Sequence, residues 1–194
     1  MSAPIMPVLV GASTTEDEGI ALAKAKQPDV VIASEDLETG YGIRLLESIK
    51  AISPKTKLLI FLRRESQDVV QEAIDAGANG VMFHSSLGTG EGDFIKALTI
   101  TSDDGVYFPS AVRQAIAITT KPKPDLTEPL SERELEVLEC IIQGMQNSEI
   151  AKTLLISVET VKKHVSTGIQ KLGVRDRTQA AVFALKHGLV SVGI

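Results

Sequence analysis

The sequence predicts an α/β half built on a parallel, doubly wound sheet, followed by a small all-α half of four helices. Three observations carry that prediction. Short continuous apolar runs alternate with amphipathic stretches as far as residue 101. A proline-rich, charged stretch at 119–129 then interrupts the pattern. Beyond it the apolar positions recur at helical spacing alone.

The apolar runs are residues 8–10, 30–33, 58–62 and 81–83. Each is too continuous for a one-sided antiparallel strand and suits a parallel strand covered on both faces. Between and after them lie helical candidates at about 16–26, 40–52, 67–76 and 91–101. Leu45, Leu46 and Ile49 form one i, i+1, i+4 stripe, and Val69, Val70, Ala73 and Ile74 form another. Ser53-Pro54 stops the second helix, and the Gly77-Ala-Asn-Gly80 turn stops the third. Alternating strand and helix signals imply a parallel sheet with helices on its faces. In such a sheet, reactive groups sit beyond the C-terminal strand ends. Ser34-Glu35-Asp36, Arg63-Arg64 and His84-Ser85 are therefore expected on one rim.

Residues 119–129, TTKPKPDLTEP, hold three prolines and four charges and read as an extended, semi-rigid linker. The expected division is 1–118, linker 119–129, and 130–194. Ser131-Glu-Arg-Glu134 is a capping box that opens a helix carrying Leu135, Leu138 and Ile142 and ending at Gly144. Asn147 can cap a second helix with Ile150, Ala151 and Leu154, and Ser157 can cap a third. Residues 175–188 make a fourth, with Ala181, Leu185 and Leu189 near one face.

Composition is that of an ordinary globular chain, 43% apolar and 23% charged, which excludes disordered and collagen-like classes. The single Cys140 excludes an internal disulfide framework and a cysteine-rich metal site, and points to a reducing, cytoplasmic setting with the thiol in the core. The opening MSAPIMPVLVGAS has no basic region ahead of a long apolar core, and no stretch of about 18 apolar residues occurs, so neither export nor membrane insertion is expected. The net charge of −5 divides unevenly. Residues 1–129 hold 12 Lys/Arg against 18 Asp/Glu, a net of −6, whereas 130–194 hold 8 against 7, a net of +1. Local charge is what matters for nucleic acid, because only the face near the phosphates releases counterions.

The third helix of the second half is the informative one. Val158, Val161, Val165, Ile169 and Leu172 recur at spacings of 3, 4, 4 and 3, one buried stripe. Glu159, Lys162, Lys163, Ser166 and Gln170 are left on the other face, which has the shape and the donors to enter a major groove. A solvated helix face is the plain alternative on these residues alone. The stretch LSERELEVLECIIQGMQNSEIAKTLLISVETVKKHVSTGIQKLGVRDRTQAA, residues 130–181, resembles the LuxR-type helix-turn-helix over its whole length. That resemblance implies binding to double-stranded DNA, with Lys162, Lys163 and Ser166 facing bases and Thr160, His164 and Lys171 near the backbone. Ser157 and its helix N-terminus suit a phosphate. The resemblance also implies that the last helix, near 180–186, pairs two copies as a homodimer on a two-fold symmetric site.

With that second half, QPDVVIASEDLETGYGIRLLESIKAISPKTKLLIFL and AIDAGANGVMFH resemble a receiver domain of the NarL/FixJ response-regulator class. The resemblance implies a flavodoxin-like sheet, a phosphoaccepting Asp ending one strand, an acidic pair for Mg²⁺, a hydroxyl and a Lys. Here the nucleophile position falls on Ser34, the hydroxyl position on Leu62 and the Lys position on His84. Residues 8–28 align best with the second strand and helix of a receiver, so one βα unit is expected to be absent. If residues 8–10 are instead the first strand, Gly11-Ala12 replaces the acids.

The expectation is therefore a degenerate pseudo-receiver that binds no metal or cofactor, takes no phosphoryl group, and acts through protein contacts or dimerisation. Glu35, Asp36 and Glu38 are its candidate partner contacts. The rival is a phosphorylation-responsive regulator using Glu35 or Asp36; a third reading is a dimer module that does not bind DNA. Catalysis by Ser34, His84 and a carboxylate lacks the nucleophile elbow that such a serine needs, so no enzyme is expected.

Overall fold

The computed structural model describes residues 7–88, 94–102, 105–117, 124 and 126–190. Three parallel strands, β1 (Val30–Ser34), β2 (Lys57–Leu62) and β3 (Gly80–Phe83), form one sheet in sequence order. Each strand connects to the next through a helix, α2 (Gly42–Ile52) and then α3 (Gln67–Asp75), with α1 (Glu16–Lys26) ahead of β1. One sheet face, with Ala33, Leu58, Ile60, Leu62, Val81 and Phe83, packs in the main core with α2 and α3. The other face, with Leu59 and Met82, is covered by Ala97 and Ile100 of α4 (Phe94–Ser102). Helices on both faces explain why these strands read as unbroken apolar runs.

The expected strand at 8–10 is not present. Val8, Leu9 and Val10 lie outside the sheet and are exposed, because no neighbouring strand among the described residues takes their backbone groups. The fourth helix candidate appears as α4 at Phe94–Ser102, its first expected residues, 91–93, lying outside the described ones. A fifth helix that the sequence pattern does not reveal, α5 (Ser110–Ala117), follows Pro109 and buries Val112, Ala115 and Ile116. Just before it, Tyr107 bridges to Gly80 beside β3. Most of the expected linker, 119–123 and 125, lies outside the described residues.

Four helices follow among the described residues: α6 (Glu132–Ile142), α7 (Asn147–Leu154), α8 (Val158–Leu172) and α9 (Arg177–Lys186). The Ser131 capping box is formed in both directions, with the Ser131 hydroxyl accepting from the Glu134 amide and Glu134 accepting from the Ser131 amide. The second cap differs from expectation. Gln146, not Asn147, holds the N-cap and makes a capping box with Glu149, while the Asn147 amide oxygen accepts from Arg177. Cys140 is buried in α6, and burial pushes its thiol pKa up.

The two halves share packing. Helix α9 lies against α5, α6 and α8, and its Ala180, Ala181, Val182, Ala184 and Leu185 are all buried. Asn79, in the turn before β3, accepts from the Leu58 amide (3.0 Å) and reaches the Thr178 hydroxyl (3.4 Å). Gln179 donates to the Ile74 carbonyl (3.2 Å) and Arg113 to the Ile142 carbonyl (3.3 Å). The last helix, which the resemblance assigns to pairing two copies, is thus occupied within one chain.

Candidate nucleic-acid interface and the receiver-like rim

Parallel strands of similar length bring their C-terminal ends together, and the three expected groups do meet on one rim. The Ser34 hydroxyl lies 3.1 Å from His84 Nε2. Leu62, at the hydroxyl position, is fully buried and offers no polar atom. Backbone at the end of β1 is fixed by Gly42, whose amide donates to the Glu35 carbonyl (2.8 Å). A Cβ there would sit 1.9 Å from the Ser34 carbonyl oxygen, so only glycine allows this approach.

Glu35 is the largest departure from expectation at this rim. Its side chain is 1% exposed and turned inward, where it accepts from the amides of Arg63 (2.7 Å) and Arg64 (3.0 Å) and pairs with the Arg64 guanidinium. Burial alone would raise its pKa. The hydrogen bonds from Arg64 and Arg63 outweigh burial and hold the carboxyl below its ordinary range. A carboxylate so placed cannot be a surface contact for a partner, which corrects the expectation for that residue. Arg64 also donates to the Tyr41 hydroxyl (2.8 Å), which in turn donates to Glu72 (3.0 Å). Burial and the neighbouring Glu72 push Tyr41 up to about 12. Asp36 pairs with Arg63 (3.2 Å) but remains largely exposed, and Glu38 accepts from the Thr14 hydroxyl (2.7 Å). Among the described residues, no group of three His, Cys, Asp or Glu side chains converges.

Helix α8 is built as its sequence pattern requires. Ser157 caps it, its hydroxyl accepting from the Thr160 amide (3.0 Å) and lying 2.9 Å from the Thr160 hydroxyl. Val161 and Leu172 are buried, with Val158, Val165 and Ile169 half-buried beside them. Opposite them Glu159, Lys162, Lys163, Ser166 and Gln170 are exposed, and His164 is half-buried. None of these outward side chains has a hydrogen bond or ion pair with another described residue. Lys171 is placed differently. Its ammonium turns inward to Glu134 (3.0 Å), Glu128 (3.0 Å) and the Pro129 carbonyl (3.2 Å), bracing α8 against the start of α6. Those partners lie 37 to 43 positions away in the chain, beyond the reach of any local pattern.

The turn into α8 carries Leu155 at φ 55°, left-handed, with 91% of its surface exposed. That conformation closes α7 through the Leu155 amide, which donates to the Ala151 carbonyl.

Residues 6–85 match the response regulator receiver domain, and 128–184 match the bacterial regulatory proteins of the luxR family. The uncharacterized transcriptional regulatory protein YxjL of Bacillus subtilis is 35% identical over 176 residues, covering 88% of this chain and 80% of that protein. The chain belongs to the LuxR-type response-regulator family. Within it, the response regulator protein VraR of Staphylococcus aureus is 33% identical over 182 residues, 94% of this chain and 86% of that protein. Among solved structures, the response regulator RcsB of Salmonella typhimurium is 23% identical, covers 86% of this chain and 80% of its own, and has a TM-score of 0.48. No helix among the described residues is long and apolar enough to cross a membrane.

Proposed function

We propose that this response regulator is a sequence-specific DNA-binding transcription regulator whose receiver-like half works through protein contacts or dimerisation rather than by accepting a phosphoryl group. The observation that carries the DNA reading is the outer face of α8: exposed lysines and a serine, without intramolecular partners among the described residues, on a helix docked against α6 and α7. Lys162, Lys163 and Ser166 are the base-facing residues. Ser157, Thr160 and His164 lie toward the backbone, with the helix N-terminus favouring a phosphate. Lys171 is left to its structural pairs. A two-fold operator requires two copies.

The rim supports the second part of the reading. A hydroxyl stands where the carboxylate nucleophile belongs, its neighbour is an imidazole, and Glu35 is committed to Arg63 and Arg64. The test is incubation with a small phosphodonor and Mg²⁺, followed by mass mapping. No acyl phosphate is expected at residues 34–36. Labelling of Glu35 or Asp36 that hydroxylamine releases, as it does an acyl phosphate, would establish the phosphorylation-responsive rival in its place.

A further inference from the structure

Four of the eight exposed large hydrophobic side chains among the described residues belong to two short stretches. They are Val8 (81% exposed), Leu9 (84%) and Val10 (50%), and Ile32 (44%) on β1. The backbone of β1 shows why Ile32 is uncovered. The Lys57 amide donates to the Asp29 carbonyl (2.9 Å) and the Glu35 amide to the Phe61 carbonyl (2.8 Å). In a parallel ladder alternate residues bond to the same neighbour, so positions 29, 31, 33 and 35 face β2. The N–H and C=O groups of Val30 and Ile32 therefore point the other way, and among the described residues no strand pairs with them. Ile32 shares a sheet face with its register partner Leu59, yet Leu59 is fully buried.

A strand suited to this edge exists in the chain but does not occupy it. Gly11 packs so closely on α1 that a Cβ would lie 2.6 Å from Leu22. The Thr14 hydroxyl donates to Glu38 (2.7 Å), the Glu38 amide to the Thr14 carbonyl (2.9 Å) and the Glu16 amide to the Thr39 carbonyl (2.9 Å). These interactions anchor residues 11–16 on α1 and on the loop after β1, and residues 8–10 remain unpaired among the described residues. The charge pattern selects the occupant. Residues 7–15 carry no charge and neither does β1, so the edge offers nothing to an acidic or basic peptide and matches a neutral apolar strand.

We propose that two copies of this chain exchange strands, residues 7–10 of each adding to the β1 edge of the other. Unpaired edge groups provide the main-chain hydrogen bonds, and Leu9, set on the same sheet face as Ile32, provides the apolar contact. The interface is separate from α9 and needs no DNA.

The test uses the full chain with Leu9→Cys in one preparation and Ile32→Cys in another, both at exposed positions, with Cys140 left buried. Mild oxidation of the mixture is expected to link one chain of each kind, and peptide mapping places the disulfide between the two substituted positions. A chain carrying both substitutions is expected to form the same link between chains. A link closed within a single chain would show that residues 7–10 cover their own edge, and would overturn the proposal, as would the lack of any link between the two positions. In the unsubstituted protein, amide exchange at Ile32 is expected to slow as concentration rises; exchange independent of concentration contradicts strand exchange.

Discussion

The rim at the ends of β1–β3 and the outer face of α8 are both polar surfaces, but their side chains are in opposite states. On the rim Glu35 is bound by Arg63 and Arg64, Asp36 by Arg63, Ser34 by His84 and Ser85 by Glu65. On α8 the outward Lys162, Lys163, Ser166 and Gln170 have no such partners among the described residues. A polar group satisfied inside the protein gains little from a ligand, because the exchange returns one hydrogen bond for another. A group that faces only water can release counterions and read base edges. On that difference rests the proposal that recognition belongs to α8 and that the rim is largely structural.

Breaking the α8 side should give the largest effect. Lys162→Ala combined with Lys163→Ala is expected to weaken binding by about 1–3 kcal/mol for each base that the two lysines read, followed by anisotropy on a bound duplex. Thermal melting should stay within about 0.5 kcal/mol of the parent, since both side chains are exposed. Equal affinity would remove α8 from the interface.

On the rim, Glu35→Ala should instead cost folding stability, about 2–3 kcal/mol by denaturant titration, by leaving the Arg63 and Arg64 amides without their acceptor. The same residue sets an acid limit. Because its folded pKa lies below the ordinary 4.5, its contribution is complete above that value and is lost as pH falls through the folded pKa. Glu134, where the Ser131 amide and Lys171 outweigh the opposing effect of burial, behaves alike. Melting temperature should therefore drop steeply below pH 4.5, and less so in Glu35→Gln; an unchanged slope would mean that Glu35 is not ionised in the fold.

Two smaller effects sharpen the comparison. Leu155→Gly should stabilise the chain by about 0.5–1 kcal/mol, since glycine takes a positive φ without steric cost and the leucine packs on little. A loss of stability would show that the turn is not strained. His84→Ala, at an exposed ring, should change stability by less than about 0.5 kcal/mol. A larger loss would make the Ser34–His84 pair a structural clamp.

These contrasts were unequally legible in the sequence. Strands β1–β3 and helices α2, α3, α6 and α8 follow from unbroken apolar runs, stripes and caps, all local signals. Helix α5 is short and follows Pro109 directly, so its stripe of Val112, Ala115 and Ile116 is hard to separate from a loop. Residues 8–10 have a strand's composition, but a strand needs a neighbour, and composition does not say whether one is there. Rim positions Ser34, Leu62 and His84 could be placed from strand ends. The inward turn of Glu35 could not, because its partner Arg64 is 29 residues away. Lys171 shows the same limit, as does Asn79, whose hydrogen bond to Thr178 joins the turn before β3 to the start of α9, 99 residues away in the chain.

Selection of bound sequences from a random pool of DNA duplexes tests the central claim most directly. The account predicts enrichment of a two-fold symmetric motif, bound with an affinity that falls steeply as salt rises, and no enrichment by the Lys162→Ala, Lys163→Ala chain. Failure of the parent protein to enrich any motif, or recovery of the same motif by the doubly substituted chain, would contradict it.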